Sequence, residues 1–254
     1  MEILVCVKRV PAPGARIVLT EDGRAIETRH LGFTISPHEE CALEEAVGLV
    51  ERFGGTVTVL TMGPPEAEEQ LRTGVAMGAA RGVLVEAPST ESDPRATASA
   101  LAEAVAVLQG EDGAFDLVLF GDESADAGNA QVGIRVAHAL GLPIVTGVKG
   151  IDLDGGQVTL RRETPGGFEL YEVGLPAAAA VREGINLPRY PALKGRMRAR
   201  KAAMRHIAAT PAAGGLEMVR LSHPPASDAD TEVLGHGADA ASAVVDVLER
   251  QGVI

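Results

Sequence analysis

A loop rich in small residues is the first candidate for a ligand site. The letters GDESADAGNAQVG (121–133) follow the apolar run DLVLFG (116–121) and open the helical pattern VGIRVAHAL (132–140). Small side chains let a ligand approach the backbone, and free N–H groups at a helix start attract phosphate. A nucleotide cradle is one interpretation. A plain connection with an N-cap at Asp126 or Asn129 is the other, since no Walker lysine or GxGxxG pattern accompanies the loop.

The second candidate is a cluster of positive charge in an acidic chain. The formal net charge of the 254 residues is −12, yet residues 187–206 read LPRYPALKGRMRARKAAMRH. In this stretch Tyr190 and Leu193 form an apolar knuckle beside basic side chains. An exposed leucine ringed by cations is typical of a weak protein-docking site, and simple charge balance is the alternative. The basic residues are Arg189, Lys194, Arg196, Arg198, Arg200, Lys201 and Arg205.

Motifs for bond-making chemistry are missing. GxSxG and HExxH are absent, and the six histidines have no Cys, Ser or carboxylate partner at a recognisable spacing. The acidic groups within 39–45 and 66–69 fit solvated helix faces. Cys6 and Cys41 form no CxxC motif, which indicates a reducing compartment and no disulfide. We therefore expect no metal site and no catalytic group.

The elements that must position these residues alternate through the first half of the chain. Continuous apolar runs predict buried strands of a parallel sheet, and helical periodicity between them makes each unit βαβ. Ligands of such sheets bind at the carboxyl ends of strands near a topological switch point, which is where the 121–133 loop begins. The predicted strands are 3–10, 56–63, 82–87, 116–121 and 143–148, and the predicted helices between them are 38–54, 66–78 and 95–108.

After residue 150 the pattern changes. The runs 157–163 and 168–173 flank Pro165–Gly167 and predict an antiparallel hairpin, and 175–181 predicts one more strand. We predict a single doubly wound α/β domain over residues 1–208.

A C-terminal arm is expected over residues 209–254. It is rich in turn residues around a brief predicted strand at 216–221 and ends in a helix at 238–252. That helix carries a narrow apolar stripe, so we expect it to dock on its own domain or on another chain. The stripe consists of Ala240, Val244, Val247 and Leu248.

Composition excludes several classes of protein. No stretch approaches the ~18 consecutive apolar residues of a membrane span, and the first run is too short for a signal peptide. An acidic chain with no Trp and 3% aromatic residues is a poor nucleic-acid binder. We expect a cytoplasmic protein with no direct membrane insertion.

Motifs spread along the chain resemble one family. The stretch NLPRYPALKGRMRARK (186–201) is similar to the recognition loop of electron transfer flavoprotein β subunits, which reads N-x-PRY-P-x-L-x-x-I-M-x-A-K-K-K. The resemblance continues in VKRV, SPHEECALEEAVGL, LTMGP, AMGAARGV, GDESADAGNAQVG and RRETPGGFELYEVGLPA. On these motifs the chain is identified as a member of that family.

The resemblance implies a fold, a ligand and partners. The fold is of the adenine nucleotide α-hydrolase-like type, and the ligand in this chain is AMP, held structurally. The partner is an α subunit that carries a redox-active FAD. The heterodimer is an electron carrier without bond chemistry of its own. It takes electrons from acyl-CoA and other flavin dehydrogenases, as in fatty acid β-oxidation, and passes them to a membrane quinone reductase, ETF-quinone oxidoreductase.

The resemblance also implies site residues. The recognition loop is 181–203 with Leu193 as anchor, and Glu163 matches an acid near the interface with the flavin domain. The other docking residues are Arg189, Tyr190, Lys194, Arg198 and Lys201. The nucleotide pocket is expected to use Cys6, Ser36, Pro37, His38, Glu39, Met62, Gly121, Ser124, Asp126, Ala127, Gly128, Asn129, Ala130, Gln131 and Val132.

Departures from the family pattern leave two alternatives open. The order Ala-Gln-Val-Gly at 130–133, with SDPRATASAL at 92–101, is similar to relatives that bind a second FAD in place of AMP and bifurcate electrons. Their KQVPD and DGDT signatures are not matched by KRVPAPG and AGNA. Ser36 stands where many relatives have Asn, which makes a ligand contact there weaker or indirect. An adenine-nucleotide enzyme or sensor is the second alternative, and it lacks a nucleophile or general base beyond Asp126.

Overall fold

The computed structural model describes residues 1–88, 93–210, 212, 215–225 and 231–254. The helices are α1 (Pro37–Phe53), α2 (Glu68–Met77), α3 (Pro94–Asp112), α4 (Val132–Ala139), α5 (Leu193–Lys201) and α6 (Ala241–Arg250), with 3₁₀ turns at Pro65–Ala67 and Gly237–Ala240. The strands are β1 (Glu2–Cys6), β2 (Arg9–Pro11), β3 (Phe33–Ile35), β4 (Thr56–Gly63), β5 (Arg81–Glu86), β6 (Leu117–Gly121), β7 (Ile144–Asp154), β8 (Gln157–Thr164), β9 (Gly167–Gly174), β10 (Ala177–Val181) and β11 (Arg205–Ile207).

Nine strands form one sheet in the order β11-β5-β4-β1-β6-β10-β7-β8-β9. The strands from β11 to β7 pair in parallel, and β7, β8 and β9 pair antiparallel. The short strands β2 and β3 form a separate antiparallel pair. The predicted parallel α/β sheet with an added antiparallel hairpin is confirmed.

Two apolar clusters cover the two faces of the sheet. One contains Leu43 and Leu49 of α1 with Leu71 of α2, and the other contains Leu101 and Leu108 of α3. These leucines are at most 5% exposed. The parallel strands are therefore buried on both faces, which explains why they read as continuous apolar runs.

The predicted strand over 3–10 is wrong in its second half. The β1 strand ends at Cys6, and the N–H of Val7 still donates to the carbonyl of Leu60 at 2.9 Å. The next N–H, that of Lys8, donates to the carboxylate of Glu39 on α1. A side chain from another element thus takes the place of a strand partner, and the chain turns away into β2.

Two further predictions differ in extent. The run predicted as 143–148 continues to Asp154, because β7 pairs with β10 first and then with β8, with a register shift near Val148. The strand predicted at 216–221 does not form. Instead the N–H of Leu221 donates to the carbonyl of Gly23 at 2.7 Å, so the arm lies on an irregular loop.

Among the helices in the described ranges, none is long and apolar enough to cross a membrane. The α6 helix has no buried residue, and Val244 and Val245 on it are 43% and 44% exposed. Its apolar side chains are thus available to a partner surface.

Candidate functional site

A cleft opens where the order of the parallel strands reverses. Strand β1 lies between β4 and β6, and the chain fills the sheet on the β4 side before the crossover through α3 returns to β6. Connections that diverge in this way leave a crevice at the carboxyl ends of the strands. Cys6, Met62 and Gly121 stand at those ends and line the cleft.

The cleft has two walls and an open mouth. Helix α3 supplies one wall through Pro94, Thr97 and Leu101, and the loop before α4 supplies the other. The cavity volume is about 100 Å³, and the space reaches about 870 Å³ only when the open solvent at its mouth is included. A ligand in this cleft would therefore stay partly exposed to solvent.

The loop after β6 packs closely on the start of α1. A Cβ at Gly121 would lie 2.6 Å from Cγ of Glu39 and 3.1 Å from Cβ of His38, so only glycine fits there. Two later residues have left-handed backbones, Gly128 with φ of 57° and Ala130 with φ of 51°. A non-glycine residue in that region costs on the order of 1 kcal/mol, and such strain occurs at ligand sites. Here it shapes the chain directly before α4.

Some amides of this loop are already satisfied and others are open. The N–H of Ala125 donates to Oγ of the buried Ser36 at 3.1 Å, and that of Ala127 donates to Oδ1 of Asp126 at 2.7 Å. Within the described parts of the chain, the amides of Asn129, Ala130 and Gln131 have no acceptor.

The start of α4 also lacks a side-chain cap. The N-cap residue Gln131 does not accept from the first helical amides, because its Oε1 accepts from Arg135 at 3.0 and 3.2 Å. The first N–H groups of a helix need an acceptor, and the helix dipole favours an anion there. The loop and helix start together therefore suit the phosphate of a ligand.

Lys8, Asp126 and Glu39 form a group of titratable side chains beside the loop. Lys8 Nζ lies 2.7 Å from Oδ2 of Asp126. Burial opposes ionisation of Asp126, but the hydrogen bond and charge of Lys8 hold its pKa below the ordinary value. Glu39 is only 8% exposed, and burial raises its pKa to about 8. Asp122 and Glu123 also line the cleft, and Oδ2 of Asp122 lies 3.4 Å from Nε of Arg182. An anionic ligand is therefore held by the backbone N–H groups of the loop and not by an excess of positive charge in the cleft.

The structure brings together most of the predicted pocket residues. Ser36 holds the loop from behind, and Nδ1 of His38 is buried without a partner in the described chain. Burial raises the pKa of the Cys6 thiol, so this cysteine is a wall residue and not a nucleophile. The cleft is lined by Cys6, Glu39, Met62, Gly121, Ser124, Asn129, Ala130, Gln131 and Val132, whereas Ser36, Pro37, His38, Asp126, Ala127 and Gly128 lie outside its lining.

Two residues that line the cleft and were not predicted are Lys8 and Thr97. Asp122, inside the predicted 121–133 loop, lines the cleft as well. Asp122 also accepts from the N–H of Gly147 at 2.9 Å, which ties the loop to β7. The position of Lys8 directly after β1 was a usable signal, since strand ends face the cleft. Thr97 carried no signal, because its place depends on how α3 crosses the sheet.

Within the basic stretch, Leu193–Lys201 form the short helix α5, which follows an extended segment in the chain. Tyr190 is 83% exposed and Leu193 is 66% exposed. Lys194 and Lys201 are exposed as well. Two of the predicted docking cations make contacts inside the chain: Arg189 pairs with Glu44 and Glu51 of α1 at 2.9 and 2.6 Å, and Arg198 Nη2 donates to the carbonyl of Val75 at 2.6 Å.

The acid predicted at a flavin interface lies far along the hairpin. Glu163 is on β8, and its Oε2 is 3.2 Å from Nζ of Lys149 on β7. No group of three or more His, Cys, Asp or Glu side chains in the described ranges is arranged to hold a metal ion.

Comparisons with known proteins agree with this architecture. The profile described as "Electron transfer flavoprotein domain" matches residues 24–212. The "Electron transfer flavoprotein subunit beta" of Syntrophomonas wolfei is 38% identical over 92% of this chain and 90% of its own length. The protein of the same name from Bacillus subtilis is 31% identical over the full length of both chains, and "Protein FixA" of Bradyrhizobium diazoefficiens is 36% identical over 80% of this chain and 71% of its own. The chain belongs to the electron transfer flavoprotein family, among its β subunits.

Proposed function

We propose that this chain is the small subunit of an electron-carrying heterodimer and that it holds AMP in the cleft as a structural ligand. It supports the FAD of an α subunit and docks acyl-CoA and other flavin dehydrogenases through the loop around Leu193. Electrons then pass to a membrane quinone reductase. The chain acts by binding and orienting, in keeping with the relatives named electron transfer flavoproteins.

One observation carries the nucleotide assignment. The open amides of Asn129, Ala130 and Gln131 continue into the uncapped start of α4 and lie at the switch point of the sheet. Backbone N–H groups at a helix start bind phosphate without any basic side chain. Ser36 acts indirectly, because its hydroxyl holds the loop and is itself fully buried.

A second FAD in place of AMP is the competing proposal. The cleft is not closed behind the phosphate loop but continues along α3, where Pro94, Thr97 and Leu101 form its wall. In this case the chain would carry a working flavin and bifurcate electrons.

The α subunit is proposed to cover the exposed apolar side of α6 and the region of Glu163. Val244 and Val245 lie on a helix with no buried residue. A surface helix of this kind gains stability when its apolar face is covered by a partner. The arm over 209–254 is thus the segment that we expect to embrace the α subunit.

The test is to co-purify this chain with its α subunit, release the bound small molecules with acid and count them by mass spectrometry. One AMP and one FAD per heterodimer would support the proposed function. Two FAD and no AMP would replace it with the bifurcating function. Asn129→Pro tests the phosphate site directly, because proline has no N–H and so removes one open amide. We expect this variant to lower the AMP content while the FAD content stays at one.

A further inference from the structure

The docking helix α5 is fixed on α2 in one orientation. A Cβ at Gly195 would lie 2.3 Å from the carbonyl oxygen of Ala76, so the two helices touch through backbone. Arg72 of α2 donates to the carbonyls of Ala199 and Ala202 at 2.9 and 3.1 Å, which satisfies the last turn of α5. Arg198 also donates to the carbonyl of Val75 on α2. These contacts define the inner face of α5, which is the face packed on α2.

Two apolar side chains occupy the outer face. Leu193 is 66% exposed and Met197, one turn later, is 57% exposed. Residues four apart on a helix point to the same side. Because Gly195 and Ala199 face α2, Leu193 and Met197 must both point to solvent and form a continuous apolar ridge.

Cations flank this ridge on both sides. At 3.6 residues per turn, Arg196 and Arg200 fall on one side of it and Lys194 and Lys201 fall on the other. None of these four makes an ion pair with a described residue. The guanidinium of Arg196 lies 5.6 Å from the ring centre of Tyr190, which extends the apolar surface toward the preceding loop.

We propose that Met197 is a second docking anchor, beside Leu193, for the flavin dehydrogenases that bind this loop, an inference that rests on the proposed function. The partner surface would have an apolar cleft long enough for two side chains one helical turn apart. Carboxylates would line both rims of that cleft, opposite the two rows of cations. A partner whose pocket admits Leu193 alone would bind less tightly.

The experiment uses the heterodimer as electron acceptor for an acyl-CoA dehydrogenase that reduces the wild-type protein. Met197→Ala should raise the KM for the heterodimer about tenfold and leave kcat unchanged, because burying an anchor side chain contributes to association and not to the transfer step. Met197→Leu, which restores an apolar side chain of similar volume, should stay within about twofold of wild type. Val107→Ala, on the exposed side of α3 where Val107 is 38% exposed, is the control and should leave KM unchanged.

Leu193→Ala separates this inference from the proposed function. If Leu193→Ala raises KM while Met197→Ala equals the Val107→Ala control, the second anchor is refuted and the docking site stands. If Leu193→Ala leaves KM unchanged, the docking function proposed for α5 is itself refuted. A loss of kcat with unchanged KM in Met197→Ala also overturns the anchor role, since it would place Met197 in the transfer step.

Discussion

Glu39 is a carboxyl group in the cleft wall whose protonation differs between the folded and unfolded chain. Burial raises its pKa from an ordinary 4.5 to about 8. The folded state therefore keeps a proton that the unfolded state releases, and this contribution to stability is present below about pH 4.5 and is lost as pH rises to about 8. One pKa unit corresponds to about 1.4 kcal/mol, so the loss amounts to a few kcal/mol. Glu39→Gln should flatten the fall in the free energy of unfolding across this range.

Denaturant unfolding of the purified protein at several pH values checks this prediction. Burial also raises the pKa of Glu40, so the free energy of unfolding of Glu39→Gln should still fall with pH, but less steeply than that of the wild type. Glu21→Gln, an exposed carboxylate, serves as the control and should keep the wild-type slope. Parallel curves for wild type and Glu39→Gln would show that Glu39 is ionised in the folded state.

At the level of elements, α5 depends on α2 for its order. Arg72 ties the carbonyls of Ala199 and Ala202 to Glu68, whose other oxygen meets Nε2 of His206 on β11 at 2.8 Å. Hydrogen bonds from a charged donor contribute roughly 1.5–3 kcal/mol. Arg72→Met should therefore speed amide exchange across residues 193–202 by roughly ten- to hundredfold.

Hydrogen exchange followed by mass spectrometry measures this effect directly. Arg72→Lys, which keeps the charge but cannot reach two carbonyls and a carboxylate with one planar group, should fall between wild type and Arg72→Met. Unchanged exchange in α5 together with faster exchange in α2 would mean that Arg72 stabilises its own helix and not α5.

Elements whose ends are set by neighbouring residues could be predicted from the sequence, whereas elements that depend on partners far along the chain could not. Helix α1 was predicted at 38–54 and found at Pro37–Phe53, since Pro37 at its start and Gly54 at its end are local signals. The hairpin of β8 and β9 was predicted for the same reason. The end of β1 was not, because the N–H of Lys8 is taken by Glu39, 31 residues away. The 121–133 loop was predicted as a ligand site from its own residues. Thr97 of α3 lines the cleft, and Arg72 of α2 holds α5, only because of how these helices pack against other elements, which the sequence does not reveal.

At the level of the whole molecule, charge is distributed unevenly. The chain has a formal net charge of −12, while the exposed face of α5 carries Lys194, Arg200 and Lys201. An acidic dehydrogenase surface would be repelled by most of this molecule and attracted by that one face. Electrostatic steering of this kind raises the association rate without making the complex tight, and a carrier must leave its donor after each transfer.

This layout predicts that electron transfer from the dehydrogenase slows as salt increases past about 0.15 M, where the Debye length is about 8 Å. Replacing Lys194, Arg200 and Lys201 with Gln should remove most of this salt dependence and lower the association rate at low salt by roughly tenfold. The control replaces Arg16, Arg24 and Arg29 with Gln; these residues are exposed on the loop after β2. Both variants change the formal net charge from −12 to −15. Stopped-flow reduction of the heterodimer across a salt series compares the two variants. Equal salt slopes in both would mean that overall charge, and not the face of α5, controls the encounter.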